Sequence, residues 1–493
     1  MIRYRLQATI TLATALHIGG LDDRAVVGAQ DTDPDCQVVS QTRSAGGGLP
    51  LIPGSSIAGA IAAFLKARDA ESLGVATNCW DTEVWGSVDR ASAIQVDDVV
   101  LPAQAITTIQ GNGINRTTGT AAPGSLFRHE VVEAGTRCTL TFTATASAAW
   151  ASRVHDQIGQ IARALRDPRF TLGARSNIGW GRIDSTLTTL QVSRWDTANL
   201  AALGHYVEHR FDWPAGQRRP KDPSTDAWWT DVGKPPPRPW VTGPPRIRFT
   251  VAWRPITGLL VADEADGNLV ASRKAGTQHV LPGTAIRGAL RSRASRIART
   301  ILAARGRALP DWTGSTLVDQ VATDPPLVRL IFGSTQHRGR LTVSDARAQG
   351  GKTREQHHNS IDRWSGATTE GHLWRTAPAV DRQWEPLVLD LDASGLDDTR
   401  QRAVLALLGL TLSELANGTL RLGGHGNRGL GQVRVIDVAL DSPVGTFRVV
   451  SPGQDAHEQM SRQILAQLAR LCHPAESAPG RSWADVLDQE HTT

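Results

Sequence analysis

Residues 423–433 read GGHGNRGLGQV, and residues 172–183 read LGARSNIGWGRI. The later stretch contains the spacing G-x-G-x-x-G at Gly424, Gly426 and Gly429. In a dinucleotide-binding domain such glycines follow the first strand and open a helix whose N-terminus holds the pyrophosphate. Here a helical pattern precedes them, and LGQVRVIDVAL follows, with Val433, Val435 and Val438 marking a strand. The earlier copy does not keep the spacing at all. The context therefore argues against a nicotinamide-type site. Glycines in such a turn either supply positive φ or let backbone approach something bulky and charged. Arg175 and Arg182 flank one copy, His425 and Arg428 the other, with Asn177 and Asn427 inside. Free N–H groups and cations in that arrangement suit a sugar–phosphate strand.

The recurrence extends along both halves in one order. LPLIPGSSIAGAI at 49–61 answers QHVLPGTAIRGAL at 278–290, and VWGS at 84–87 answers IFGS at 331–334. GINRTTGTAAPGSLF at 113–127 answers SIDRWSGATTEGHLW at 360–374, and the glycine stretches come last. Four collinear matches identify a tandem duplication.

Each half opens on an alternating strand, YRLQATITLATALHIG or PRIRFTVAWRPITG. A Pro-Gly-Ser/Thr helix start follows, with hydroxyls suited to cap the first turn. Strand-like pieces come next (AIQVDDVVL; RLTVSDA), then an Arg-centred loop, a further strand, a second helix and the glycine stretch running into a last strand. The order β-α-β-β-α-β is the ferredoxin-like plan, shared with the RNA-recognition fold. The expectation is an α+β protein with domains at 1–200 and 246–445. A Pro- and Trp-rich linker is expected at 201–245, and a helical tail at 446–493 built around HEQMSRQILAQLARLC.

A chain of 493 residues needs more than one core. Its net charge of +5, with a pI near 9.3, favours a polyanionic partner over an acidic substrate pocket. The four cysteines, Cys36, Cys79, Cys138 and Cys472, form no C-x-x-C, so no zinc site is expected. The start alternates Leu6, Ala8, Ile10 and Leu12 with polar residues, which is a strand and not a signal peptide. No apolar run is long enough for a transmembrane helix, and a cytoplasmic protein without a membrane partner is expected.

Taken together, PGSSIAG and PGTAIRG, the W/F-G-S element, INRTTGTA and IDRWSGA with LF or LW after them, EVVEAGT and the C-terminal glycine loops resemble the RAMP superfamily of CRISPR-associated proteins. The likeness is to the backbone subunits of type III CRISPR effector complexes and covers roughly 3–190 and 246–440. It implies two ferredoxin-like units with inserted thumb hairpins, guide crRNA and complementary target RNA as partners, and further effector subunits around them. It also implies a loop aspartate, after the first strand, that cuts target RNA with Mg²⁺ or Mn²⁺. In HIGGLDDRAVVGAQDTDPDC the matching residue is Asp31, which would also hold the cation, with Asp33 as fallback and Asp22, Asp23 and Asp35 behind. A carboxylate with a divalent cation can position a ribose 2′-hydroxyl against its own phosphate. The second half departs from the pattern in PITGLLVADEADGNLVASRKAG, where Asp266 is the counterpart and Asp263 the fallback.

Guide contacts are expected at Ser55 and Ser56 in the first half, and at Thr284, Arg287 and Arg291 in the second, where Arg293, Arg296 and Arg299 continue the basic run. Ala58 and Ala62 stand at the matching positions of the first helix. Arg116 and Arg363 either bind RNA or brace their hairpins by pairing with a carboxylate. Trp180 and Trp364 either stack on bases or pack inside. His17 occupies the place of an acid–base histidine in guide-processing ribonucleases, or is structural. The competing readings are a non-catalytic crRNA scaffold, a guide-maturing endoribonuclease and an unrelated nucleotide-dependent enzyme.

Overall fold

The computed structural model describes residues 1–19, 49–71, 79–196, 198–200, 203–204, 207, 245–262, 269–451, 453, 457–472 and 483–489. The chain divides into two units: one of 1–109, 127–176 and 180–243, the other of 110–126, 177–179 and 244–493. The linker read at 201–245 lies almost wholly outside the described residues.

The first unit is built on β1 (Ile2–Thr11), whose residues are buried and half-buried in strict alternation. That alternation places Tyr4, Leu6, Ala8 and Ile10 on the core face. β2 (Ile94–Val96), β3 (Ile106–Ile114), β4 (Ala121–Val132), β5 (Arg137–Ala146) and β6 (Thr189–Asp196) follow. The sheet runs β2-β5-β1-β6, with β1 antiparallel to both neighbours: Leu6 faces Phe142 on β5 and Val192 on β6. Helices α1 (Gly54–Glu71), α2 (Thr82–Trp85) and α3 (Ala151–Arg166) supply Ile57, Ile61, Val84, Ile158 and Ile161 to the same core. β3 and β4 form a separate two-stranded hairpin, whose residues 110–126 count with the second unit.

The second unit repeats the scheme. β7 (Arg246–Pro255) leads, followed by β8 (Leu341–Val343), a hairpin of β9 (Gln356–Ile361) and β10 (Thr368–Ala377), β11 (Leu387–Asp392) and β12 (Val433–Asp441). The sheet order is β8-β11-β7-β12, extended at its edge by β13 (Phe447–Val450). Helices α4 (Gly283–Ala304), α5 (Leu317–Ala322), α6 (Pro326–Phe332) and α7 (Asp398–Ala416) pack around it. The stretch read as a tail contributes to this unit: α8 (His457–Cys472) buries Met460, Ile464 and Leu468 in the core shared with α7. Gly409 of α7 lies against the Leu468 side chain so closely that a Cβ there would collide with it. No described helix is long and apolar enough to cross a membrane.

Candidate nucleic-acid interface

The two glycine stretches fold alike. Gly173, Arg175, Gly179 and Gly181 have φ of 71°, 60°, 84° and 76°; Gly423, His425, Gly429 and Gly431 have 80°, 56°, 90° and 79°. Three backbone hydrogen bonds recur. Leu172 N–H donates to Gly181 O as Leu422 N–H does to Gly431 O (2.8 and 3.0 Å). Ala174 N–H donates to His17 O as Gly424 N–H does to Leu260 O (2.8 and 2.6 Å). Gly181 N–H donates to Ala15 O as Gly431 N–H does to Gly258 O (2.7 and 2.9 Å). Each loop is thus sewn to the segment that follows the first strand of its half.

Most of the glycine requirement is met by the protein itself. A Cβ at Gly181 or Gly431 would overlap the carbonyl oxygen of Leu172 or Leu422, and one at Gly173 or Gly423 that of His17 or Leu260. Gly429, by contrast, has open space before it. The close approach that these glycines permit is therefore to backbone of the same fold, and the surface offered outward is made by the residues between them. Arg175, the one non-glycine with positive φ among the described residues of the first unit, is exposed, as are Asn427 and Arg428; Asn177 and Arg182 are half-buried. Arg182 donates from its backbone N–H to Thr14 Oγ1 (3.0 Å) and from its guanidinium to Pro168 O (3.4 Å).

Aromatic rings back both loops. The Arg175 guanidinium lies 5.9 Å from the Phe127 ring and 5.7 Å from that of Trp180. Arg428 lies 5.2 Å from Trp374, on which His358 stacks at 5.3 Å. Phe127 and Trp374 are the last residues of the matched LF and LW motifs. Burial, then the charges of Arg428 and His358, hold the His425 imidazole below its ordinary pKa, so it is neutral near pH 7. Trp180 is only 4 % exposed, which excludes base stacking by that ring; it packs near His17 and His129. His17 is itself buried, with Nδ1 2.8 Å from Glu130 O, the structural alternative for this residue.

The helix starts depart from expectation. Ser55 is exposed and Ser56 and Thr284 half-exposed, but neither helix's first amide is free. Gly54 N–H donates to Asp98 Oδ1 and Gly283 N–H to Asp345 Oδ1, each at 2.7 Å. A carboxylate already complements both N-termini, which weakens the case for a phosphate there. Loss of water raises the Asp345 pKa, against the pull of the Gly283 amide and of Arg273 and Arg347. The sequence does carry this signal: both aspartates sit in the matched strand-like pieces, QVDD and TVSD.

The arginine run on α4 is largely turned inward. Arg287 donates to Phe332 O, and burial followed by the Arg291 charge lowers its pKa. Arg291 pairs with Asp324 (2.8 Å) and donates to Gly333 O (2.8 Å), so these two arginines fasten the F-G-S turn to the helix. Arg293 pairs with Glu414, and Arg299 covers the Trp312 ring at 4.0 Å; Arg296 is exposed.

Arg116 braces. Its guanidinium joins Arg291 on Asp324, whose side chain is wholly buried. Its backbone N–H donates to Gln320 Oε1 (2.9 Å), Gln320 Nε2 donates to Asn115 Oδ1 (3.1 Å), and Thr117 Oγ1 donates to Trp312 O (3.3 Å). The matching turn of the second half has the same backbone. Asn115 N–H donates to Thr120 O as Asp362 N–H does to Ala367 O, and Gly119 and Gly366 have φ of 70° and 67°. Yet the side chains at that turn face water: Trp364 is 98 % exposed, Arg363 is exposed, and Arg363 has no partner among the described residues. Asp362, the carboxylate next to Arg363 in the chain, accepts instead from Trp364 N–H, Ser365 N–H and Ser365 Oγ.

Asp31 and Asp33, with Asp22, Asp23 and Asp35, and the second-half pair Asp266 and Asp263 lie outside the described residues. Among the described residues no cluster of three or more His, Cys, Asp or Glu is placed to hold a metal.

Two stretches of the chain, 9–184 and 228–434, match the RAMP superfamily. No curated protein matches the chain. The matched stretches cover well over half of the sequence and coincide with the two repeats that carry the sewn glycine loops, so the protein belongs to the RAMP superfamily, whose role is CRISPR-associated RNA binding.

Proposed function

We propose that the protein is a tandem backbone subunit of a type III CRISPR effector, lying along guide crRNA and cutting the complementary target RNA. The sheet orders β2-β5-β1-β6 and β8-β11-β7-β12 read as two ferredoxin-like units, and the β3–β4 and β9–β10 hairpins as their thumbs. The observation that carries the reading is the pair of glycine loops with matched dihedral angles, each presenting an exposed arginine backed by an aromatic ring. Exposed guanidinium groups take phosphates, and the aromatic groups beside them add stacking surface.

Guide contact falls first to Arg175, Asn427 and Arg428, with Asn177, Arg182 and His425 beside them. Ser55, Ser56 and Thr284 are available as hydroxyl donors, whereas Arg287 and Arg291 shape the site through the F-G-S turn. Arg363 and Trp364 at the free hairpin tip are suited to part a guide–target duplex, the arginine on phosphate and the indole on a base.

The cutting residues of this reading are Asp31 and, in the second half, Asp266. Each loop begins just beyond the segment that holds a glycine loop, after His17 in one half and Leu260 in the other. The carboxylates of residues 20–48 are hard oxygen donors of the kind that Mg²⁺ or Mn²⁺ prefers. Such a cation would supply charge neutralisation at the phosphate under attack. The protein's part is to hold the strand so that a 2′-hydroxyl lies in line with its neighbouring phosphate. With guide, target RNA and Mg²⁺, Asp31→Ala is expected to remove a cut and Asp266→Ala a second one. Undiminished cleavage in both variants would leave the crRNA-binding scaffold. Cleavage of repeat RNA without metal, lost in His17→Ala, would favour the guide-maturing endoribonuclease.

A further inference from the structure

A second basic site lies in the second unit, at the end of β7 away from the glycine loop. The loop is tied to residues just past Pro255, whereas this cleft includes Arg246, the first residue of the strand. Ten extended residues separate the two by roughly 30 Å. The cleft has a volume of about 680 Å³, and Arg246, Arg329, His337, Arg338, Arg340 and Arg400 dominate its walls. The one carboxylate in its lining, Asp392, spends Oδ1 on the backbone and hydroxyl of Ser394 (2.9 and 2.6 Å). Arg340 is set by Ser394 O (2.7 Å), Arg246 by Asp390 (3.0 Å), and Arg400 stands 3.9 Å from Asp397. His337 and Arg338 are exposed at the mouth.

The first unit serves as an internal control. Its matching turn is closed in the same way, Ser87 N–H to Arg90 O (2.9 Å) against Ser334 N–H to His337 O (2.8 Å). With Asp98 and Asp345 in register at the far end, Ala91 and Ala93 stand where the second unit has Arg338 and Arg340, and Asp89 stands where it has Gln336. The third helix residue, Arg153, is tied to Asp81 (2.7 Å) and Glu83, whereas its counterpart Arg400 leans on one distant carboxylate. The fold alone therefore does not call for an arginine at 338 or 340. Five arginines lining one cleft match a ligand carrying several phosphate oxygens.

We propose that this cleft is a phosphate-binding site separate from the glycine rims. The phosphate comes either from a nucleic-acid strand crossing the cleft or from a small polyphosphate. The test uses the full chain, titrated calorimetrically with inorganic tripolyphosphate and by fluorescence anisotropy with a labelled oligouridine. Arg338→Ala with Arg400→Ala is expected to weaken tripolyphosphate about tenfold, since each guanidinium removes a charge-assisted bond. If oligouridine weakens in parallel, the source is a strand; if only tripolyphosphate weakens, it is a small polyphosphate. Arg90→Ala, on the equivalent turn of the first unit, changes neither. Arg338→Gln and a thermal melt guard against misfolding. Affinity for both probes unaltered in a folded double variant overturns the proposal. Arg175→Ala with Arg428→Ala, which tests the guide reading, lowers oligouridine binding and leaves tripolyphosphate unchanged, so the two claims fail separately.

Discussion

The hairpin turns at 115–120 and 362–367 share one backbone and put an arginine at the same place, yet the arginines do opposite things. Arg116 is half of a guanidinium pair closed over a buried carboxylate, while Arg363 stands in water beside a bare indole. The local motif therefore fixes the shape of the turn, and the surroundings decide its use. One turn is part of the second unit's structure, and the other stands exposed.

The largest effect that separates the two turns is expected at Asp324. Asp324→Ala leaves the Arg116 and Arg291 charges facing each other in a buried site, which costs about 3–5 kcal/mol. Urea unfolding should show that loss, while Arg363→Ala leaves the transition where it was. A mild Asp324→Ala phenotype would mean that the latch is not a structural element.

The next contrast lies within the glycine loops. Gly431→Ala places a methyl group against the Leu422 carbonyl at positive φ, whereas Gly429→Ala bears only the dihedral penalty of about 1–2 kcal/mol. Gly431→Ala should therefore be clearly the more destabilising in thermal unfolding. Equal losses would show that crowding inside the loop is not what keeps Gly431.

The smallest effect is the pH response that His425 gives to one loop and Arg175 cannot give to the other. Its lowered pKa means that the free protein resists protonation here, so His425 contributes stability above its titration that is lost as pH falls through it. Bound phosphate reverses the preference. RNA affinity should thus rise as the pH drops through the histidine range, and His425→Ala should flatten that rise in an anisotropy titration.

Much of the fold was legible because its signals are local and occur twice. The period-two alternation of β1 and β7, the Pro-Gly helix starts and the glycine stretch running into a strand all appear where they were read. What was not legible depends on distant partners. INR and IDR look alike in sequence, and nothing near either announces Asp324, which precedes Pro-Pro far along the chain. The inward turn of Arg287 and Arg291 was hidden for the same reason: a helix face rich in arginine reads as solvated until the F-G-S turn is seen packed against it. The aspartates that cap α1 and α4 stand at matched places in the two copies, but their partners, the Gly54 and Gly283 amides, lie far off in the chain.

The central claim is that the two arginine-bearing glycine loops grip one RNA. Its most direct test is the length and amount of RNA that stays with the purified full chain, measured beside the Arg175→Ala, Arg428→Ala double variant. The account predicts RNA of uniform length on the unaltered protein and at least about a tenfold loss in the variant, with a salt dependence shallower by about one unit per arginine removed. A folded variant that keeps its RNA, or an unaltered protein that neither carries nor binds any, would contradict it.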